Sequence, residues 1–94
     1  MKKPGSNVYQ IEYLDTVVDE DIPSLPVTVR ERIKRAIETR LIVDPIGLGK
    51  PLRYSFKGHR RIRVGDYRII YRVNNDKKLV TVILIKHRKH VYEE

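Results

Sequence analysis

Five arginines lie close together in the segment 58–73, whose sequence is GHRRIRVGDYRIIYRV. They are Arg60, Arg61, Arg63, Arg68 and Arg72. Guanidinium groups bind phosphate oxygens through paired hydrogen bonds, whereas like charges that face each other across neighbouring strands repel. This arrangement favours an anionic ligand, and a phosphate backbone in particular. The alternatives are an ordinary solvated strand face, or arginines that pair with acids elsewhere in the chain.

The charge of the chain is divided unequally between its two halves. The 94 residues carry a net charge of +8. Residues 1–49 contain seven Lys/Arg and eight Asp/Glu, a sum of −1, whereas residues 50–90 contain thirteen Lys/Arg and two Asp/Glu, a sum of +11. A basic field of this kind favours nucleic acid, an acidic protein segment, or both as partners.

Composition excludes several classes of protein. The chain has no cysteine, which excludes disulfides, thiol catalysis and cysteine-ligated metals. Its longest apolar run, LVTVILI at 79–85, is far too short to span a bilayer, and the N-terminal MKKPGS lacks the apolar region of a signal peptide. We therefore expect one domain over residues 1–94, in the cytoplasm and without membrane association.

The elements that must position the arginines follow from periodicity. The segment 7–14 alternates and predicts a first strand, and 15–26 predicts one short helical turn. The clearest helix begins at Thr28, which with Glu31 matches a capping box, and ends before Pro45. Four later segments alternate and are predicted strands: 52–56, 60–64, 67–73 and 79–87.

This order of elements predicts an α+β fold. An N-terminal strand and one or two helices would pack on a twisted antiparallel sheet of about four strands. The two-residue loop Gly65–Asp66 fits a type II′ hairpin turn. Alternation places Arg61 and Arg63 on one face of their strand, and Arg68 and Arg72 on one face of the next. Tyr67 and Tyr71 fall on the opposite face and are predicted core residues.

Two further motifs carry a family resemblance. They are R-x-R-x-G-D-Y-R-I-I-Y and the C-terminal H-R-K-H-V-Y. With the residues around them, they make residues 8–93 similar to the RelE/ParE superfamily of bacterial and archaeal toxins, and to its RelE-type branch in particular. The resemblance implies a single RelE-like toxin domain over 1–94.

The resemblance also implies an activity. RelE-type toxins are endoribonucleases that cut mRNA in the ribosomal A site, by attack of the 2′-hydroxyl and without a metal ion. The expected cofactor and metal are therefore none. The expected partners are the ribosome, mRNA and a cognate antitoxin protein that forms a heteromeric complex with the toxin. The chemistry requires a base, cationic donors for the phosphate and an acid for the leaving oxygen.

The resemblance implies roles for three catalytic residues. Arg68 matches an arginine that contacts the scissile phosphate. Arg88 matches an arginine that acts on the phosphate or the leaving group. Tyr92 matches a tyrosine that stacks on the substrate base and helps to align the 2′-hydroxyl.

The base is the open question. Arg61 and Arg63 match a basic pair that is lysine in the best-known member, and with Arg60 they are predicted substrate-binding residues. Arginine carries protons poorly, because its pKa lies above about 12. His87, with a reference pKa near ~6.5, is therefore the predicted catalytic base, and His90 is a weaker candidate.

Two other functions are open on the same fold. One is a ParE-type toxin that poisons DNA gyrase without nuclease chemistry. The other is a non-catalytic module that binds nucleic acid or protein. The C-terminal His-Arg-x-x-Val-Tyr set, combined with Arg61 and Arg63, favours the nuclease.

Overall fold

The computed structural model describes residues 8–91, which form helices packed on a five-stranded sheet. The elements are β1 (Gln10–Tyr13), α1 (Val27–Ala36), α2 (Pro45–Leu48), β2 (Lys50–Pro51), β3 (Arg60–Val64), β4 (Tyr67–Asn74) and β5 (Leu79–His87). The strand order is β1-β5-β4-β3-β2, with β1 parallel to β5 and the other neighbours antiparallel. The predicted α+β class is confirmed. The sheet is mixed, however, with five strands instead of about four antiparallel ones.

The helical layer comes from the first half of the chain. A short π-helical turn, Val17–Asp21, confirms the helical turn predicted in 15–26. The turn Ile37–Leu41 continues α1, so that Ile33, Ile37 and Leu41 form one buried stripe at four-residue spacing.

The ends of the helices differ from the prediction. α1 begins directly after Pro26, and no side chain caps it, so the Thr28–Glu31 capping box is wrong. Proline's fixed φ suits the start of a helix, which moves the start ahead of the motif. Pro45 likewise starts α2, where the Asp44 carboxylate accepts a hydrogen bond from the Gly47 N–H at 2.9 Å.

The predicted strand 52–56 is also wrong. β2 ends at Pro51, and Tyr54–Phe56 form a 3-10 turn. Tyr54 has a φ of +54°, a left-handed conformation that cannot continue a strand. The alternating residue types were correct for a strand, but the backbone turns before they can pair.

The hairpin of β3 and β4 agrees with the prediction. Val64 pairs with Tyr67, which leaves Gly65 and Asp66 as a two-residue loop. Gly65 has a φ of +59°, and Asp66 is not among the residues with positive φ, as a type II′ turn requires. The predicted strands 60–64 and 79–87 coincide with β3 and β5.

One face of the sheet packs against the helical layer, and we call it the covered face. Its buried side chains are Ile62, Val64, Ile69, Tyr71, Val80, Val82 and Ile85. Tyr67 is partly buried and packs against the same core, so both predicted core tyrosines are confirmed. In the part of the chain that is described, no helix has the length and apolar character needed to cross a membrane.

Candidate functional site

Three adjacent strands each contribute one cation to a single row across the sheet. Arg63 of β3 lies directly opposite Arg68 of β4, and Arg68 lies directly opposite Lys86 of β5. Residues paired in this way point to the same face, with Cβ atoms about 4.5–5.5 Å apart. This face is opposite the covered face, and we call it the basic face. Its cations are Lys50, Arg61, Arg63, Arg68, Arg72 and Lys86.

Arg68 is held firmly within this row. Its side chain is nearly buried, at 7% exposure. Its Nη1 donates to the Gly65 carbonyl at 3.2 Å and to the Tyr67 carbonyl at 3.1 Å. These two hydrogen bonds orient the guanidinium group beside the hairpin turn before any ligand arrives.

Lys86 has a different partner at the other end of the row. Its Nζ lies 2.9 Å from Oδ1 of Asp21, whose carboxylate is buried. The Oδ2 atom of Asp21 accepts a hydrogen bond from the Ile85 N–H at 3.0 Å. Asp21 therefore joins the helical layer to the C-terminal end of β5 and balances the charge of Lys86.

Sequence reasoning missed Lys86 and Lys50. Lys86 precedes the H-R-K-H-V-Y motif, and its alternation with His87 was visible, but its place beside Arg68 depends on the register of β4 and β5. Lys50 lies opposite Arg61 in β2, which sequence reasoning placed outside any strand. The sequence did show that each lysine lies within two residues of the end of a predicted strand.

Arg61 continues the basic face toward β2. It is 6% exposed and lies directly opposite Ile70, which is fully buried on the same face. Arg72 lies further along β4, is exposed, and pairs with Thr81. The basic face therefore combines nearly buried arginines with exposed ones.

Arg60 does not lie with the other predicted substrate-binding arginines. It pairs with Tyr71 on the covered side of the sheet. Its Nη1 donates to the carbonyls of Ile46 and Gly49 at 3.0 and 3.1 Å, which ties α2 and the following turn to β3.

Tyr71 belongs to the same structural contact. Its hydroxyl donates to the Pro45 carbonyl at 2.6 Å. Burial raises the pKa of Tyr71 to about 12, with the nearby Arg60 charge acting in the opposite direction. This tyrosine is therefore a neutral anchor for α2.

His87 lies on the opposite face of β5 from Lys86. It pairs with Tyr67, and the two rings form an edge contact with centroids 5.2 Å apart. Its Nδ1 accepts a hydrogen bond from the Lys89 N–H at 3.1 Å. Lys86, His87 and His90 nevertheless all line a cavity of about 350 Å³ at the end of β5. The predicted base, His87, and the cationic row therefore lie on opposite faces of the sheet, and the cavity at the end of β5 is where they come together.

Arg88 and Arg68 both contact the hairpin turn Gly65–Asp66. The Arg88 N–H donates to the Asp66 carbonyl at 2.8 Å, and its Nε lies 3.8 Å from Asp66 Oδ1, with both side chains exposed. Arg68 binds the neighbouring Gly65 carbonyl, so both predicted catalytic arginines adjoin one turn. Tyr92 lies outside the described residues.

The described residues contain no group of three His, Cys, Asp or Glu side chains placed to hold a metal ion. The fold and this cationic sheet define the class of protein, because a chain of the toxin–antitoxin complex RelBE2 from Mycobacterium tuberculosis superposes with a TM-score of 0.80. The two are 27% identical, over 86% of this chain and 99% of that chain. The architecture is therefore that of the RelE-like toxins.

The chain belongs to the ParE toxin family of type II toxin–antitoxin systems, whose sequence model matches residues 8–92. It is 29% identical to toxin RelG of Mycobacterium tuberculosis, over 82% of this chain and 88% of RelG. It is 32% identical to toxin RelE of the same organism, over 77% of this chain and 74% of that toxin. The predicted membership of the RelE/ParE superfamily is confirmed.

Proposed function

We propose that this toxin is an endoribonuclease that cleaves mRNA in the ribosomal A site without a metal ion, and that a cognate antitoxin neutralises it. Its similarity to toxins named RelE and RelG supports the RelE-type activity. The observation that carries the proposal is the row Arg63–Arg68–Lys86, in which the pairing of three strands brings three cationic residues together on one face of the sheet.

The arginines of the row stabilise the phosphate during the reaction. When the 2′-oxygen attacks phosphorus, negative charge grows on the equatorial phosphate oxygens. Arg68 is already oriented by the Gly65 and Tyr67 carbonyls, and Arg63 lies directly opposite it. Removing one oriented donor of this kind commonly costs about 10²–10³ in rate.

Lys86 acts as the acid. Lys86 carries the only ammonium group in the row, and the other two residues are arginines, which carry protons poorly because the pKa of arginine lies above about 12. Lys86 donates a proton to the 5′-oxygen as the phosphorus–oxygen bond breaks. Asp21, 2.9 Å from Nζ, holds the ammonium group at the end of the row.

His87 acts as the base for the 2′-hydroxyl proton. Its ring faces away from the row, so the ribose must enter the cavity at the end of β5, which Lys86 and His87 both line. The end of β5 makes this possible, because the nucleotide can pass around the strand end while its phosphate remains bound to the cationic row. His90, in the same cavity, is the second candidate.

The remaining predicted residues extend the contact with RNA. Arg88, beside the turn that binds Arg68, closes the phosphate site. Tyr92 stacks on the base, and Arg61 with its neighbour Lys50 contacts the phosphates further along the message. The two carbonyl contacts of Arg60 support a structural role instead of substrate binding.

A translation assay with purified ribosomes tests the proposal. We expect the toxin to cut ribosome-bound message and leave 2′,3′-cyclic phosphate and 5′-hydroxyl ends, as mapped by primer extension and end-group analysis. Intact message together with DNA gyrase-dependent DNA breaks would instead support the ParE-type activity that the family name carries.

The two proton-transfer residues have separate signatures. His87→Gln should flatten the pH–rate profile, because the variant has no base at this position. Lys86→Met should lower the rate across the whole pH range. Lys89→Met removes an exposed lysine three residues further on and serves as the matched control. An unchanged pH profile in His87→Gln would remove His87 from the mechanism.

A further inference from the structure

The loop between β2 and β3 presents an aromatic ring to solvent. Tyr54 is 76% exposed, more than any other large hydrophobic side chain among residues 8–91. Its φ of +54° is a conformation that costs an L-amino acid free energy. An exposed aromatic ring on a strained backbone contributes little to folding, which raises the question of what it contacts.

Hydrogen bonds within the loop fix the backbone that carries Tyr54. Three backbone hydrogen bonds close the loop: Phe56 N–H to Arg53, Lys57 N–H to Tyr54 and His59 N–H to Phe56, at 3.1, 3.0 and 2.9 Å. The rings of Phe56 and His59 also form an edge contact, with centroids 6.3 Å apart. The attachment point of the tyrosine side chain is therefore fixed, and its ring projects into solvent.

The surroundings of Tyr54 are cationic. Residues 45–65 contain six Lys/Arg and no Asp or Glu. Arg53 and Lys57 flank Tyr54 and are exposed. Lys50, on the basic face, is four residues from Tyr54, so their Cα atoms are at most about 14 Å apart. A strand of RNA that follows the basic face from Arg68 past Arg61 to Lys50 thus ends no more than about 14 Å from the backbone of Tyr54.

We propose that Tyr54 stacks on an unpaired base of the RNA whose phosphates lie on the basic face. Proteins that bind single-stranded nucleic acid combine a cationic track with aromatic rings, because every base has a π-face. RNA as the ligand rests on the proposed function. The stacking site lies at the opposite end of β3 from the cleavage row and adds affinity for the message there.

The test separates bases from phosphates. The ligands are a short 2′-O-methyl oligoribonucleotide, which cannot be cleaved, and an abasic oligomer with the same number of phosphates. Tyr54→Asn should weaken binding of the first ligand at least about fivefold and leave the second unchanged. It should also raise the melting temperature, because asparagine tolerates positive φ better. Tyr54→Phe should bind like the wild type.

Lys78→Asn is the matched control, because Lys78 has a φ of +52° in the loop between β4 and β5. It relieves the same backbone strain and should affect both ligands equally. Equal losses for both ligands in Tyr54→Asn, no loss, or a wild type that binds neither ligand would each overturn the stacking site. If the wild-type toxin cleaves message while any of these results is obtained, the proposed nuclease activity is still supported. Base-dependent binding without message cleavage would overturn the proposed nuclease activity but not the stacking site.

Discussion

The two faces of the sheet consist of alternate residues of the same strands, but one face is mainly apolar and the other is rich in cations. On the covered face of β4, Ile69 and Tyr71 are fully buried and stabilise the fold by removing apolar surface from water. On the basic face, Arg68 lies directly opposite Arg63 and Lys86, which places three cationic residues side by side. One step along a strand therefore separates the side that packs against the helical layer from the side on which we propose that RNA binds.

The comparison also holds for single arginines. Arg60 and Arg68 each donate to two backbone carbonyls. Arg60 joins α2 to the sheet, whereas the two carbonyls that Arg68 binds belong to its own hairpin, and Arg63 and Lys86 lie directly opposite it. Similar hydrogen bonds thus support a structural role for Arg60, whereas for Arg68 we propose phosphate binding.

Ile69→Ala should have the largest effect on stability. Ile69 is fully buried at the centre of the covered face, and its truncation leaves a cavity worth about 2–5 kcal/mol. Urea unfolding should show the loss, while the cleavage rate per folded molecule stays the same. A stability change below about 1 kcal/mol would mean that the covered face is not the core.

Arg68→Ala should have the largest effect on activity. Loss of the central donor should lower cleavage about 100-fold or more. Stability should change by about 1 kcal/mol, because the hydrogen bonds to the Gly65 and Tyr67 carbonyls are lost. Arg68→Lys keeps the positive charge but loses the paired N–H donors of the guanidinium group, so it should restore only part of the rate. Collapse of the fold in Arg68→Ala would make this arginine structural.

Arg60→Ala should have the reverse pattern. Loss of the bonds to Ile46 and Gly49 should destabilise the protein by about 1 kcal/mol. Cleavage per folded molecule should match the wild type, as measured by primer extension at a temperature where both are folded. A loss of activity as large as that of Arg68→Ala would place Arg60 on the substrate after all.

Tyr71→Phe should show a small effect that depends on pH. Burial raises the pKa of Tyr71 to about 12, above its value of about 10 in the unfolded chain. Above pH about 10 the unfolded chain loses this proton while the folded protein keeps it, so the contribution to stability falls until pH about 12. The stability advantage of the wild type over Tyr71→Phe should therefore be smaller at pH about 11 than at pH about 8. An advantage independent of pH would contradict the assigned burial.

Local patterns in the sequence determined several parts of this protein. Alternation assigned Arg61 and Arg63 to one face of β3, and it assigned Arg68 and Tyr71 to opposite faces of β4, because side chains alternate strictly along a strand. Gly65–Asp66 determined the hairpin, and two short motifs determined the family. The start of α1 and the turn at Tyr54 escaped prediction, because Pro26 and a left-handed residue overrode the residue pattern.

Only the tertiary structure decided which side chains share a site. The parallel pairing of β1 with β5, the place of Lys86 beside Arg68 and its ion pair with Asp21 all join residues far apart in the chain. His87 came to lie on the opposite side from Arg68 for the same reason. Periodicity describes a strand relative to itself, whereas register and neighbouring strands depend on how the whole chain packs.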